Sequence, residues 1–399
     1  MRAMIIGAGI GGLTAAIALR RSGIEATVFE RAAELREVGA GILLAANAVK
    51  ALGELGISEK VPRLGTAASV ARIRSWRGDV LSDISVADLE KRVAAPSAAV
   101  HRADLQKVLL QELDEGNLRL GARFTGFRHD EEGVTAVFAN GLEERGDVLI
   151  GADGLYSTVR TRLFGPEKPR YAGYTVWRAV VESDRELLPR GTGSESWGKG
   201  ARFGCAHIGG GRVYWFATRN APQGQKDGPA GTSTGPRATL TELLDGWHRP
   251  VAELISETDE RTIRRDDLYD REPLITPWGE GRVTLLADAA HPMTPNLGQG
   301  ACQTIEDAVV LARCLREDGE ADMPSALRRY EDARRERTAW ILRRSRVLGR
   351  VGQIQDPLLC RLRDAISKAT PVEAQLRLLE RVMDHEERPA TRRSVRWFA

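Results

Sequence analysis

Gly7, Gly9 and Gly12 stand at GxGxxG spacing within Gly7-Ala8-Gly9-Ile10-Gly11-Gly12, and Glu30 follows 18 positions after the last of them. Glycines so placed allow a tight turn and let the backbone approach a pyrophosphate, whose charge is favoured by the free N–H groups and dipole of a helix N-terminus. A carboxylate at Glu30, ending the next strand, would accept hydrogen bonds from ribose hydroxyls and repel a 2′-phosphate. Arg31 beside it joins the residues expected at this dinucleotide. Context separates the string from a plain glycine turn: an apolar strand Ala3 to Ile6 precedes it, and an Ala/Leu-rich helix from Gly11 to Ser22 follows. A second strand, Ala26 to Phe29, completes a βαβ start. The motif alone does not separate FAD from NAD.

Two further strings carry chemistry. Asp153-Gly154-Leu155-Tyr156-Ser157-Thr158-Val159-Arg160 would by itself be a turn. In the other, an apolar strand from Val283 ends in Asp288, a carboxylate suited to a polyhydroxyl chain, and Pro295-Asn296-Leu297-Gly298-Gln299-Gly300 forms a stiff-then-flexible turn leading into a helix. Backbone N–H groups of such a turn can lie against an electron-poor ring system and stabilise negative charge on it. Glu306-Asp307-Ala308 follows. His291, within this string, is read as structural rather than as a general base.

Together the strings resemble the flavoprotein monooxygenases of the para-hydroxybenzoate hydroxylase type (class A). The extended fingerprint GxGxxGx₃Ax₆Gx₆E is present as Gly7, Gly9, Gly12, Ala16, Gly23 and Glu30, and the three motifs stand in the family's order over most of the chain. The resemblance implies an α/β fold, a Rossmann-type FAD-binding domain interleaved with a β-sheet substrate domain and followed by C-terminal helices. It implies tightly bound, non-covalent FAD, a transient NADH or NADPH, and hydroxylation of a small aromatic or heteroaromatic substrate by O2 through a flavin C4a-hydroperoxide. On the same grounds Gly7, Gly9, Gly11, Gly12, Glu30, Arg31, Arg102, Asp153, Asp288, Pro295, Leu297, Gly298, Gln299, Gly300 and Ala301 are expected at the cofactor. The family usually has glycine where this chain has Ala287.

Arg202, Tyr214 and Asn296 are the candidates for the substrate pocket, the first two because the family floors its pocket with this β-rich region. Arg202 could pair with a carboxylate or phenolate, Tyr214 could donate or relay a proton, and Asn296 lies inside the flavin-facing turn. The bland readings are a surface salt bridge for the arginine and edge packing for the tyrosine. Relatives acting on urate carry an acid where Asn296 stands. The turn also resembles that of carotenoid epoxidases, so an epoxidase or dehydrogenase acting on a conjugated apolar substrate is the alternative. No Trp-x-Trp-x-Ile-Pro stretch of the flavin halogenases occurs.

The elements that must position these residues divide as follows: residues 1–70, 98–170 and 280–340 for the FAD-binding domain, 71–97 and 171–279 for the substrate domain, and a helical, basic segment over 341–399. Helices are expected around Ala46 to Leu55, His101 to Leu113 and Thr239 to Trp247, and from Thr304 to about Leu379. Strands are expected within Ala71 to Ile84, at Val134 to Phe138 and Asp147 to Ile150, and through Ala172 to Thr276. The 399 residues, 42% hydrophobic and 28% charged, suit a globular protein. A formal charge of +3 and basic runs such as Arg343-Arg344-Ser345-Arg346 and Arg392 to Arg396 give no nucleic-acid footprint. Cys205, Cys302, Cys314 and Cys360 have neither disulfide nor zinc spacing, so no metal is expected and a reducing cytoplasm fits. No signal peptide and no membrane span are read, and a monomer or a homodimer is expected.

Overall fold

The computed structural model describes residues 1–35, 40–67, 70–182, 187–227, 235–274, 276–319 and 321–384. The basic run Arg392 to Arg396, the rest of 385–399 and part of the stretch from Pro222 to Pro236 lie outside these residues. Five parallel strands form the first sheet, in the order Val283–Leu285, Val148–Gly151, Arg2–Ile6, Glu25–Phe29 and Leu118–Arg119. A parallel sheet covered on both faces needs nearly continuous apolar strands, and Ala3-Met4-Ile5-Ile6 and Val148-Leu149-Ile150 are buried throughout. The register sets Ile6 beside both Phe29 and Gly151, with Leu285 beside Gly151. Four strands therefore end together, and the chain leaves them at Gly7, Glu30, Ala152 and Leu286.

Helix Ile10–Arg21 is buried from Ile10 to Leu19. Its small residues let it lie close to the sheet and to helix Gly300–Asp318, against which it packs. A Cβ built on Gly12 would come within 1.9 Å of Gly7 O, so only glycine permits this approach of helix to turn.

A seven-stranded sheet makes the second layer, in the order Arg264–Asp270, Arg170–Glu182, Arg212–Asn220, Ala201–His207, Thr192–Trp197, Val70–Ser75 and Val80–Ser85. Its pairs are antiparallel except where Thr192–Trp197 runs parallel to Val70–Ser75. Side chains alternate across such strands. Val213, Trp215 and Ala217, with Trp177 and Phe203, enter a core shared with helices Pro236–Leu243 and Val251–Glu257. Phe203 stacks on Trp215 with ring centroids 5.7 Å apart. Tyr214, Phe216 and Thr218 therefore point to the opposite face.

The strand expected to reach Asp288 stops at Leu285. Ala287 adopts φ +60°, in the left-handed region, which ends the extended run and starts a single 3₁₀ turn over Ala287–Ala289. The expected helix at Thr239 instead spans Pro236–Leu243, because Pro236 takes the first helical turn after Gly235, where its missing N–H is harmless. The C-terminal helical region starts earlier than expected, at Gly300. It consists of Gly300–Asp318, Met323–Gly352, Pro357–Ala369 and Val372–Met383. The second of these passes unbroken through residue 341, where the C-terminal segment was expected to begin. Two small antiparallel sheets lie outside the expectations in part: Glu143–Gly146 with Val134–Phe138 and Phe124–His129, and Gly41–Leu44 with Ala98–His101 and Gly65–Ala67. The latter carries Gly41 and, one residue beyond it, Arg102 toward the cleft between the layers.

Candidate active site

The glycine turn is held from both sides. Gly7 N–H donates to Phe29 O at 2.8 Å, and Gly7 itself sits at φ +109°, where a Cβ would lie 2.5 Å from Ala152 O. Gly9 is the N-cap of helix Ile10–Arg21 and has no side-chain cap; a Cβ there would meet nothing within 4 Å. Glu30 accepts from Ala8 N–H and from Ala32 N–H, both at 2.9 Å, so its carboxylate is fixed beside the turn, with Arg31 exposed next to it. Gln106, which sequence reasoning did not single out, donates to Ala8 O at 3.1 Å.

Asp153 is held by the start of the helix that follows it. Its carboxylate accepts from Ser157 Oγ, from Thr158 N–H at 2.6 Å and from Val159 N–H at 3.2 Å, closing the start of helix Thr158–Phe164. Burial pushes this carboxyl above its ordinary pKa. What faces Gly7 is the backbone of Ala152 and Asp153. Arg160, the last residue of the same string, is buried and donates to Ala289 O at 3.2 Å and Ala290 O at 3.1 Å. It thus ties the second motif to the third.

In the third motif Ala287, Ala289, Ala290 and His291 are buried, whereas Asp288 is exposed in the cleft. Burial among the surrounding atoms nevertheless pushes its carboxyl up, against the nearby His291 and Arg102. Arg102, desolvated in the same cleft, is lowered and partly compensated by Asp288. Behind the turn, Asp307 accepts from Ala287 N–H at 3.1 Å, from His291 Nε2 at 2.6 Å and from Arg334 Nε at 2.7 Å. Glu306 accepts from Arg334 at 2.5 Å, from Arg337 at 2.8 Å and 2.9 Å, and from Gln303 at 3.0 Å. Burial alone would raise both carboxyls; the guanidiniums, with His291 for Asp307, outweigh it and hold them below the ordinary range. His291 is therefore one member of a buried ion network that fixes the turn carrying Asp288.

Pro295–Leu297 forms a 3₁₀ turn, Gly298 follows at φ +63°, and helix Gly300–Asp318 begins with Gln299 as an uncapped N-cap. Leu297, Gly298, Gly300 and Ala301 are half-buried along this turn, and Pro295 is exposed. Gln299 is buried; its Oε1 accepts from Asn47 and Gln303 at 3.0 Å each, while its Nε2 has no partner among the described residues.

Of the three expected pocket residues, two meet directly. Arg202 Nη2 donates to Asn296 Oδ1 at 2.7 Å, and Asn296 Nδ2 reaches Tyr174 Oη at 3.0 Å, Thr294 Oγ1 at 2.9 Å and Ser345 O at 3.0 Å. Helix Met323–Gly352 lies so close that a Cβ on Gly349 would come within 2.5 Å of Asn296 Nδ2. Tyr214 is elsewhere on the same face: Arg202 pairs with Thr218 and Tyr214 with Ala206. Four residues of strand, about 13 Å, separate the two rows. Its ring lies over Gly41, where a Cβ would be 2.4 Å away. Burial pushes the Tyr214 phenol up to about 12, so it is protonated at neutral pH. Tyr174 and Glu195, both on this face, carried no sequence signal beyond their place in the β-rich region.

The arrangement fits FAD. An uncapped helix N-terminus faces open space at Gly9, Glu30 is fixed beside it, Asp288 stands open in the cleft opposite Arg102, and a second uncapped helix start lies at Gln299. The family described as FAD binding domain matches residues 1–345. The chain is 45% identical over 365 residues to the aurachin C monooxygenase/isomerase of Stigmatella aurantiaca, covering 92% of this chain and 93% of that protein. It is 37% identical over 349 residues to an FAD-dependent urate hydroxylase of Klebsiella pneumoniae, covering 87% and 89%. Among solved structures, Klebsiella pneumoniae HpxO complexed with FAD and uric acid superposes with a TM-score of 0.89 at 33% identity, covering 96% of each chain.

Proposed function

This chain belongs to the FAD binding domain family of class A flavoprotein monooxygenases, and from that premise we propose that it uses NADH or NADPH and molecular oxygen to hydroxylate a small aromatic or heteroaromatic ring. The observation that carries the reading is that two motifs far apart in sequence line one cleft: the turn at Gly9, and the string that bears both the open carboxylate of Asp288 and the helix start at Gln299. FAD held there would supply the hydride-accepting and oxygen-activating chemistry that the chain's own side chains lack.

The remaining work falls to side chains and backbone. The N–H groups that open the helix after Gly9 would take the pyrophosphate, and Glu30 with Arg31 would take the adenosine end. Arg102 and Asp288 would hold a further part of the cofactor. Asp153 keeps Ala152 and Asp153 backbone against Gly7 through its bonds to Ser157, Thr158 and Val159. Pro295, Leu297, Gly298, Gln299, Gly300 and Ala301 present the turn whose N–H groups and helix dipole favour negative charge on the reduced ring. The sheet face bearing Tyr214 and Phe216 closes the pocket against water. Tyr214, a protonated phenol, donates a hydrogen bond to a substrate oxygen and does not act as a base near neutral pH. Arg202 and Asn296 form the far wall. Four cysteines that form no disulfide among the described residues agree with a reducing cytoplasm as its place of work.

The test is purification, a visible spectrum for bound FAD, and NADH and NADPH oxidation in air against phenols, aromatic acids, purines and polyenes, with product mass analysis. A compound that stimulates oxidation and gains one oxygen atom is expected. Turnover that yields only peroxide or a desaturated product would sink the hydroxylase reading.

A further inference from the structure

Arg202 is 3% exposed, and among the described residues its charge is answered by one anion. Its Nη1 donates to Glu195 Oε1 at 3.1 Å, its Nε to Gln353 Oε1 at 2.8 Å and its Nη2 to Asn296 Oδ1 at 2.7 Å, while the guanidinium lies 5.6 Å from the Tyr174 ring centre. Glu195 is itself held by Trp197 Nε1, which donates to the same Oε1 at 2.8 Å. The other groups bonded into this knot are neutral: Asn296, Tyr174, Thr218 and Gln353. A buried guanidinium needs a counter-charge, and here Glu195 provides it.

We propose that Glu195 determines substrate charge: by neutralising Arg202 it makes the ring pocket accept uncharged aromatic rings and refuse ring carboxylates. The proposal rests on the function proposed above and deepens it. A ligand carboxylate directed at Arg202 would have to displace Asn296 or Gln353 and then lie beside the Glu195 carboxylate, a like-charge contact in a poorly solvated place. Between Arg202 and Tyr214 their two strands present Gly204 and Phe216. Phe216 lies over Gly204, where a Cβ would meet its ring at 2.2 Å. Tyr214 at the other end offers a neutral phenol. Among the described residues of this face, Arg178 is paired with Asp266, and Arg102 stands near Asp288.

The experiment titrates the purified holoenzyme with 4-hydroxybenzamide and with 4-hydroxybenzoate, one ring differing by one charge at about pH 7.5, and reads the absorption of the bound flavin. The amide is expected to bind at least about tenfold more tightly than the carboxylate. In Glu195→Gln the ratio of the two constants should move at least about tenfold toward the carboxylate, and in the double variant Glu195→Gln/Arg202→Gln it should move back. Should Glu195→Gln fail to fold, the wild-type ratio decides alone. A protein without flavin absorption overturns the flavoprotein reading and this one with it. A flavoprotein that binds the carboxylate as tightly as the amide, or whose ratio is unmoved in Glu195→Gln, overturns this one only.

Discussion

Replacing Gly9 by alanine separates what the fold requires from what the cofactor requires. Gly9 has φ −71° and ψ 177°, extended values open to any residue, and a Cβ there meets no atom of the chain within 4 Å. The chain alone should lose only the modest N-cap preference for glycine, about 1 kcal/mol at most. Gly12 differs, since its Cβ would lie 1.9 Å from Gly7 O. If the pyrophosphate lies on the Gly9 N–H groups, the new methyl occupies its place, and overpacking of about 1–3 kcal/mol corresponds to about 5- to 150-fold weaker FAD binding. The assay is paired: urea unfolding of the apoprotein, and FAD titration followed by flavin fluorescence. Gly9→Ala should unfold near the wild-type midpoint yet bind FAD at least about fivefold more weakly, whereas Gly12→Ala should damage the fold itself. Wild-type FAD affinity in Gly9→Ala would refute the placement of the pyrophosphate.

Ala287→Gly should be at least as stable as the wild type, and by up to about 1.6 kcal/mol more so, because relief of a left-handed alanine, roughly 1–2 kcal/mol, matches or exceeds the roughly 0.4–1 kcal/mol gained by the unfolded chain; a clear loss in urea unfolding would show that Ala287 is not strained. Arg334→Met leaves Glu306 and Asp307 buried without their shared guanidinium and should lose about 3–5 kcal/mol, read by the same unfolding. The pH dependence follows with its sign: Glu306 and Asp307 sit below their ordinary values of 4.5 and 3.8 in the fold, so their contribution is complete above about pH 4.5 and is lost as pH falls below it. Unfolding free energy measured from pH 6 to pH 3 should fall less steeply in Arg334→Met than in the wild type, and equal slopes would contradict the assignment.

How far these features are legible in the sequence depends on how local their physics is. The glycine turn is set largely by neighbours, since strand, turn and helix occupy consecutive residues and Gly12 answers a contact inside the unit, whereas Gly7 is fixed by Ala152, which the string does not contain. The third motif is legible as a string, but its turn is not: the left-handed Ala287 is held by an N–H bond to Asp307, 20 residues on, and by a helix that brings Arg334 beneath it. Likewise the place of Asp153 in its motif is legible, but its bonds to the start of the next helix are not. The short strands Gly41–Leu44, Gly65–Ala67, Ala98–His101 and Glu143–Gly146 escape for a related reason, as three or four residues carry too little periodicity to show.

Arg202 shows the consequence for function. Its type and strand position are visible in the sequence, and an arginine in a pocket strand is naturally assigned to a carboxylate of the substrate. Its partners are not visible: Glu195 is seven residues away across a hairpin, Asn296 is 94 away in the turn, and Gln353 is 151 away at the end of a helix. Only the sheet register and the helix laid across the turn bring them together. The same side chain is a binding cation when unpaired and a neutral wall when paired with Glu195. What the pocket can bind is thus decided by a contact between residues that no motif contains, and charge selectivity can change in this fold by substitution at Glu195 while the glycine turn, Asp288 and Gln299 remain as they are.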